Sequence, residues 1–253
     1  MILRLRSLVL SFALTAAVAL SALAAGAAGA EEVFWSGARS LPVYSVERED
    51  NALAITFDCA WGTEHTDAIL QALEEANVKA TFFTVQFWAE EHPDYLKKID
   101  EAGHEIGTHS ATHPKMSQIS EEAVKTELTT SSRAITEVTG KPVTLFRPPF
   151  GDYDNAVIDT SLALGLMPIQ WDVDSLDWKD LSAKEIAERV VTKAKRGSII
   201  LCHNNGLHTA EALPVILDTL RARGFTFVPV GELIYRENYT IDHTGRQFSA
   251  AKG

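Results

Sequence analysis

Short apolar runs alternate along this chain with longer segments whose apolar residues recur at helical spacing. In the segment after the first run, for example, Ile69, Leu70 and Leu73 lie three and four residues apart on one helix face. The predicted strands cover 52–57, 79–85, 104–107, 143–146, 166–171, 198–202 and 225–228. The predicted helices cover 66–76, 93–102, 120–138, 155–164, 182–195 and 210–223.

This alternation predicts a parallel α/β sheet. Each helix would connect two neighbouring strands that run in the same direction, by a right-handed crossover. The helix-end signals agree with it. Ser182 and Glu185 form a capping box, and Gly140, Gly197 and Gly224 each follow a predicted helix. Seven such units that close on themselves would form a barrel, and an open doubly wound sheet is the alternative.

The first 30 residues have the layout of a secretory signal peptide. Arg4 and Arg6 precede an uncharged run, Ser7 to Ala30, which ends in small residues and is followed by two acids. The run is also long enough to be an uncleaved membrane anchor. We therefore expect the protein to be secreted or in the cell envelope, with membrane contact only through an uncleaved N-terminal segment.

The rest of the chain reads as one folded domain. We divide the sequence into a signal peptide or anchor at 1–30, a polar lead-in at 31–49, a domain at 50–233 and a tail at 234–253. The tail is polar, and we expect it to wrap onto the domain or to fray.

Charge and composition exclude several classes of partner and scaffold. The 253 residues carry a formal charge of −11, which disfavours nucleic acid as a partner. No glycine-rich phosphate loop follows a predicted strand, which disfavours nucleotide binding. Only Cys59 and Cys202 are present, so a disulfide scaffold is excluded and a single bridge between them stays open.

Reactive side chains stand where two of the predicted strands end. Asp58 follows one continuous apolar run, and His203 follows another. The carboxyl ends of parallel strands are where α/β proteins place their chemistry. Taken singly, Asp58 is equally explained as a helix cap, and His203 as a hydrogen-bonded structural histidine.

Two further histidines have the spacing of a metal pair. His109 and His113 are four residues apart, so on a helical turn both imidazoles project from one face and can bind one ion. Imidazole donors suit zinc, and also cobalt, nickel or iron. The alternative is a surface loop with two incidental histidines.

An arginine and a group of acids follow two more strands. Arg147 stands directly before two prolines that stiffen the backbone, and its guanidinium can hold a carboxylate through two hydrogen bonds. Asp172, Asp174 and Asp177 could bind metal, orient a histidine or be solvated. Together with the histidines and Asp58, they supply the groups that metal-assisted hydrolysis needs: metal ligands, a general base and a general acid.

These motifs resemble those of the polysaccharide deacetylases, which are also called carbohydrate esterase family 4 or NodB-homology domains. Five motifs occur in the family's order between residues 50 and 233: Thr56-Phe57-Asp58, His109-Ser110-x-x-His113, Arg147-Pro148-Pro149-Phe150-Gly151, Asp174-x-x-Asp177-Trp178 and Ile199-x-Leu201-x-His203. Two features look most like the branch associated with spore-forming bacteria and cell-wall peptidoglycan: the Trp61-Gly62 ending of the first segment and the run Asp172-Val173-Asp174-Ser175-Leu176-Asp177-Trp178.

The resemblance implies a distorted (β/α)₇ barrel that hydrolyses N-acetyl groups on amino sugars of a polysaccharide, peptidoglycan or a chitooligosaccharide. It implies a divalent metal, zinc in the first place and cobalt or nickel as alternatives. Carried over by motif position, the resemblance implies Asp58 as general base with Arg147 as its tether, and His203 as general acid with Asp177 as its tuning partner. It implies His109 and His113 as metal ligands. The Phe150 N–H would be an oxyanion donor, and Trp178 and Leu201 would line the acetyl pocket.

One position departs from the family's pattern. The family has a second aspartate directly after the base, as third metal ligand, and this chain has Cys59 there. A thiolate can bind zinc, but adjacent residues of a strand point to opposite faces, so Cys59 is either a ligand or part of the core. Phe150 also replaces the family's tyrosine, which keeps the backbone donor and loses a hydroxyl.

The sequence therefore favours a secreted, metal-dependent amino-sugar N-deacetylase. The missing metal aspartate gives an alternative, a catalytically impaired glycan-binding protein on the same barrel. A hydrolase of a small amide is a third hypothesis, which the predicted signal peptide disfavours. The sequence makes no prediction of the oligomeric state or of the choice between N-acetylglucosamine and N-acetylmuramic acid.

Overall fold

Strands and helices alternate through residues 39–250, the part of the chain that this computed structural model describes. The strands are β1 Ser45–Val46, β2 Ala52–Cys59, β3 Thr81–Thr84, β4 Glu105–Thr108, β5 Leu145–Phe146, β6 Met167–Pro168, β7 Val173–Asp174, β8 Ile199–His203, β9 Thr226–Phe227, β10 Tyr239–Ile241 and β11 Arg246–Ser249. The helices are α1 Thr66–Glu75, α2 Gln86–Glu91, α3 Pro93–Glu101, α4 Glu121–Thr139, α5 Asn155–Ala163, α6 Ala183–Lys193, α7 Thr209–Ala222 and α8 Val230–Leu233.

Seven parallel strands form a curled sheet in the order β6-β5-β4-β3-β2-β8-β7, and β9 pairs with the first residues of β2. Strands that are adjacent in this order are also consecutive in the sequence, with one exception. The exception is the pair of β2 and β8, which joins the two ends of the strand series. There is no reversal of strand order of the kind that defines a doubly wound sheet. The distorted (β/α)₇ barrel is confirmed, and its opening lies between β6 and β7.

The alternation of side chains along β2 separates an apolar core from the barrel interior. One set of side chains packs under the helices: Leu53, Ile55, Phe57 and Cys59. Of the other set, Ala52 and Ala54 belong to a second cluster with β6 and α8, and Asp58 reaches a cavity. In β8 the alternation is the same, with Ile200 and Cys202 under the helices and Leu201 and His203 at the cavity.

The described part of the lead-in, residues 39–49, pairs with the barrel near its opening. Val43 forms a parallel bridge with Ile169, just after β6, and Ser45 forms an antiparallel bridge with Ser198, just before β8. The backbone N–H of Val46 donates to the carbonyl of Gly197 at 2.9 Å. The segment thus satisfies backbone groups just after β6 and just before β8.

The tail wraps onto the domain and does not fray within the described residues. β10 and β11 form an antiparallel pair, and β11 lies parallel to β1. The short elements β1, β7, β10, β11, α2 and α8 were not predicted from the sequence, because none has room for a periodic pattern. No described helix is long and apolar enough to cross a membrane, and the predicted signal segment 1–30 lies outside the described residues.

Replacing Gly197 by alanine tests how the lead-in is attached. Gly197 has φ +73°, and a Cβ there would overlap the carbonyl oxygen of Val46. Gly140 has a similar φ of +70° with nothing within 4 Å of an added Cβ, so Gly140→Ala is a matched control for backbone strain alone. In urea unfolding we expect Gly140→Ala to cost about 1–2 kcal/mol and Gly197→Ala to cost clearly more. Equal losses would show that the lead-in contact contributes nothing.

Candidate active site

A cavity of about 510 Å³ opens at the carboxyl ends of the barrel strands. It is lined by Asp58, Ala60, Trp61, His109, His113, Phe150, Trp171, Asp174, Trp178, Leu201, His203 and Asn205. The structure therefore brings together seven of the nine residues that the sequence analysis selected. The other two, Arg147 and Asp177, lie directly behind the lining and are hydrogen-bonded to Asp58 and His203.

A buried ion pair holds Asp58 at the end of β2. Arg147 Nη1 donates to Asp58 Oδ1 at 2.7 Å and to Thr56 Oγ1 at 2.8 Å, and Arg147 is fully buried. Its guanidinium also lies 4.2 Å from the ring centroid of Phe83. Burial raises the pKa of Asp58, but the charge of Arg147 and its hydrogen bond lower it more, so the net pKa lies below the usual value and the carboxylate is ionised.

The second catalytic candidate, His203, is held by a buried carboxylate of its own. His203 Nδ1 lies 2.8 Å from Asp177 Oδ1, and the fully buried Asp177 also accepts from the backbone N–H of His203 at 2.8 Å and from Thr209 Oγ1 at 2.7 Å. This arrangement assigns the Nδ1 proton to the bond with Asp177 and leaves Nε2 for the cavity. Burial lowers the pKa of His203, but Asp177 raises it more, and the net pKa lies above the usual value.

The two candidates lie side by side on neighbouring strands. Asp58 and His203 are register partners in the parallel pair of β2 and β8. One strand thus carries a carboxylate whose pKa is lowered, and the adjacent strand carries an imidazole whose pKa is raised. A general base and a general acid are therefore available at one cavity.

The loops around the cavity contain several residues in the left-handed region of the backbone. Ser110, His113, Phe150 and Leu176 have φ between +56° and +72° without being glycine. Such conformations cost free energy and persist where surrounding contacts impose them, which is common at functional sites. The turn at Phe150 leaves its side chain 64% exposed at the cavity.

His109 and His113 both reach the cavity, although not from one helical turn as their spacing suggested. His109 follows β4, and its Nδ1 lies 2.7 Å from the carbonyl oxygen of Arg147, which directs Nε2 toward Asp58 Oδ2 at 3.5 Å. The ring of His113 lies 5.0 Å from that of His109. Burial lowers the pKa of both imidazoles, that of His113 to about 4, so both are neutral at pH 7 and can donate to a metal.

Cys59 is not the third ligand. Its thiol lies among the apolar side chains under the helices, on the opposite face of β2 from Asp58, and burial raises its pKa well above the usual value. A metal binds the thiolate, and this thiol is kept protonated and away from the cavity. Cys202 is buried in the same cluster, and both thiols are free, so the single disulfide left open by the sequence does not form.

The described residues therefore fit a divalent metal only in part. Two neutral imidazoles are present, but no group of three His, Cys, Asp or Glu side chains among residues 39–250 is arranged to hold an ion. Catalytic zinc sites have three protein ligands as a rule. We accordingly assign no catalytic step to a metal.

Several cavity residues carried no assigned role in the sequence analysis. Trp61, Trp171 and Asn205 line the cavity, and Thr56 and Thr209 hold the side chains behind it. Thr56 and Thr209 act through hydrogen bonds between residues far apart in the chain, for which no local sequence signal exists. Trp61 did have a signal, the Trp61-Gly62 ending of the segment that contains Asp58.

Comparison with known proteins identifies the family of this chain. The sequence model of the polysaccharide deacetylase family matches residues 45–169. A peptidoglycan-N-acetylglucosamine deacetylase of Bacillus cereus is 32% identical over 196 residues, which cover 76% of this chain and 92% of that protein. The chain belongs to the polysaccharide deacetylase family. The predicted family membership is thereby confirmed.

Two further polysaccharide deacetylase relatives differ in what their names state. PgdA of Listeria monocytogenes, a peptidoglycan-N-acetylglucosamine deacetylase, is 33% identical over 82% of this chain and 43% of its own length. A crystal structure of a CE4 family pseudoenzyme from Bacillus anthracis superposes with a TM-score of 0.74 at 32% identity, covering 76% of this chain and 68% of that one. The chain spans only 43% to 60% of the length of several curated relatives.

Zinc binding tests the assignment of the two histidines and of Cys59. We expect Cys59→Ala to bind zinc as the wild type does, because its thiol does not face the cavity, and His113→Ala to lose binding, because one of two imidazole donors is removed. Isothermal titration of the metal-free proteins with zinc chloride measures both. Zinc binding that survives in His113→Ala and disappears in Cys59→Ala would contradict the assignment.

The protonation of His203 tests the role of Asp177. In Asp177→Asn the charge that favours the imidazolium is lost while burial remains, so we expect the pKa of His203 to fall below its wild-type value. Histidine NMR titration follows this resonance directly. Thr209→Val is the control, since it removes a donor to Asp177 and keeps the charge; a pKa that falls equally in both variants would show that charge is not the cause.

Proposed function

We propose that this chain is an extracytoplasmic hydrolase that removes N-acetyl groups from amino sugars of peptidoglycan. The observation that carries the proposal is the placement of Asp58 and His203 as register partners at one cavity, each held by its own buried, oppositely charged partner. The names of the relatives support the reaction class, since the relatives from Bacillus cereus and Listeria are peptidoglycan deacetylases.

In the proposed reaction Asp58 acts as general base. Its ionised carboxylate takes a proton from the water that attacks the acetyl carbonyl carbon, and Arg147 keeps it ionised and directed into the cavity. His203 Nε2 then donates a proton to the amide nitrogen as the carbon–nitrogen bond breaks. The products are acetate and the free amine of the sugar, and Asp177 stabilises the imidazolium that must supply this proton.

The remaining predicted site residues are proposed to bind the acetyl group. The backbone N–H of Phe150 would stabilise the oxyanion that forms at the carbonyl carbon, from a turn held in a left-handed conformation. Trp178 and Leu201 line the same cavity and offer apolar surface to the acetyl methyl group.

We also propose His109 and His113 as the side chains that would bind a divalent ion, zinc in the first place and cobalt or nickel as alternatives. Two imidazoles give a weaker site than three protein ligands do. The predicted signal segment supports a position outside the cytoplasm, where a cell-wall polysaccharide is accessible.

Acetate release from N-acetylated peptidoglycan fragments tests the function. We expect turnover by the wild type and a rate lower by about 10² to 10⁴ in Asp58→Asn, the usual loss for a removed general base. Asp67→Asn is a matched control, because Asp67 is an exposed acid outside the cavity and its loss should leave the rate unchanged. Equal rates in the wild type and Asp58→Asn would overturn the proposed role of Asp58.

A glycan-binding protein with impaired catalysis is the second candidate. The observation that favours it is the position of Cys59, which removes the third metal ligand of the family from the cavity. The likeness to a CE4 family pseudoenzyme points the same way. Binding of peptidoglycan fragments without any acetate release by the zinc-loaded wild type would establish this candidate instead.

A further inference from the structure

Trp61 stands at the cavity as an exposed aromatic side chain two residues after the end of β2. Its side chain is 55% exposed, although it lines the cavity next to the site residues. One edge contacts the ring of His113, with centroids 4.9 Å apart, and Phe87 lies 6.4 Å away on another side. A large aromatic surface left open to water at a cavity is typical of a binding surface.

The backbone beneath Trp61 is held from two directions. Asn204 Nδ2 and Trp88 Nε1 each donate to the carbonyl oxygen of Gly62 at 2.8 Å, and Asn204 Nδ2 also reaches the carbonyl of Trp61 at 3.4 Å. Both donors are buried, and Gly62 has φ +62°, a conformation that favours glycine. The turn is therefore rigid, and Trp61 is presented at a defined position.

The exposed position of the Trp61 side chain fits a role in ligand binding better than a role in core packing. Trp61 buries less than half of its side chain, so it contributes little apolar burial for so large a residue. An indole face that is already fixed loses little conformational entropy when a flat ligand stacks on it. A pyranose ring is such a ligand, because its axial C–H bonds form an apolar face and its hydroxyl groups lie at the rim.

We propose that Trp61 forms a stacking subsite for the sugar next to the one that is deacetylated, and that Asn204 and Trp88 are its positioning residues. The proposal rests on the proposed function and adds a preference for chains over single sugars. A monosaccharide in the cavity would leave the Trp61 surface uncovered, whereas a β-1,4-linked oligosaccharide would extend onto it.

Calorimetric binding of N-acetylchitotetraose and of N-acetylglucosamine tests the subsite without requiring turnover. We expect Trp61→Ala to weaken tetrasaccharide binding about tenfold or more, the effect of losing one stacked ring, and to leave monosaccharide binding unchanged. Trp61→Phe should recover part of the loss, and Asn204→Ala should weaken the tetrasaccharide selectively. Leu162→Ala removes an apolar side chain that is 44% exposed and lies outside the cavity, and it should change neither.

Two results would overturn the subsite. Tetrasaccharide binding that is equal in the wild type and Trp61→Ala would show that no sugar stacks there. Equal weakening of both ligands would show that Trp61 only supports the neighbouring His113, and zinc titration of Trp61→Ala would then show a matching loss. Absence of acetate release would count against the proposed function alone, since the binding comparison does not depend on it.

Discussion

The buried ion pair between Arg147 and Asp58 is the interaction on which the cavity depends. Both charges are removed from water, and losing one partner of such a pair typically costs about 3–5 kcal/mol, because the other charge is left uncompensated. The pair joins β5 to β2 across the barrel, and the carbonyl of Arg147 also orients His109. One residue thus sets the charge of the candidate base and the direction of a candidate metal ligand.

The period of two along β2 and β8 distributes the remaining chemistry. Asp58, Leu201 and His203 face the cavity because their neighbours in sequence face the helices. The same alternation directs Cys59 into the core, which leaves the site with two imidazoles. The departure from the family's pattern therefore has two effects: a thiol is added to the core, and among the described residues the cavity lacks the third metal ligand. A site that lacks this ligand can bind the sugar without hydrolysing it.

Much of this arrangement follows from local sequence. Apolar runs and helical spacing predicted the strands and helices of the barrel, and the motifs predicted the residues that the cavity brings together. The sequence did not decide which face of the sheet Cys59 occupies. The answer depends on how far the strand extends, and in the structure β2 continues to residue 59. The closing of the barrel by the lead-in and the hydrogen bonds of Thr209 and Asn204 join distant parts of the chain, and no periodicity reports such contacts.

Thiol reactivity in the folded protein tests the central claim, that β2 presents Asp58 to the cavity and Cys59 to the core. Ellman's reagent measures the number of accessible thiols, with and without saturating zinc. The structure predicts that neither thiol reacts in the native protein and that both react after unfolding in guanidinium chloride. One thiol that reacts rapidly in the native protein and is protected by zinc would place Cys59 at the metal and contradict the claim.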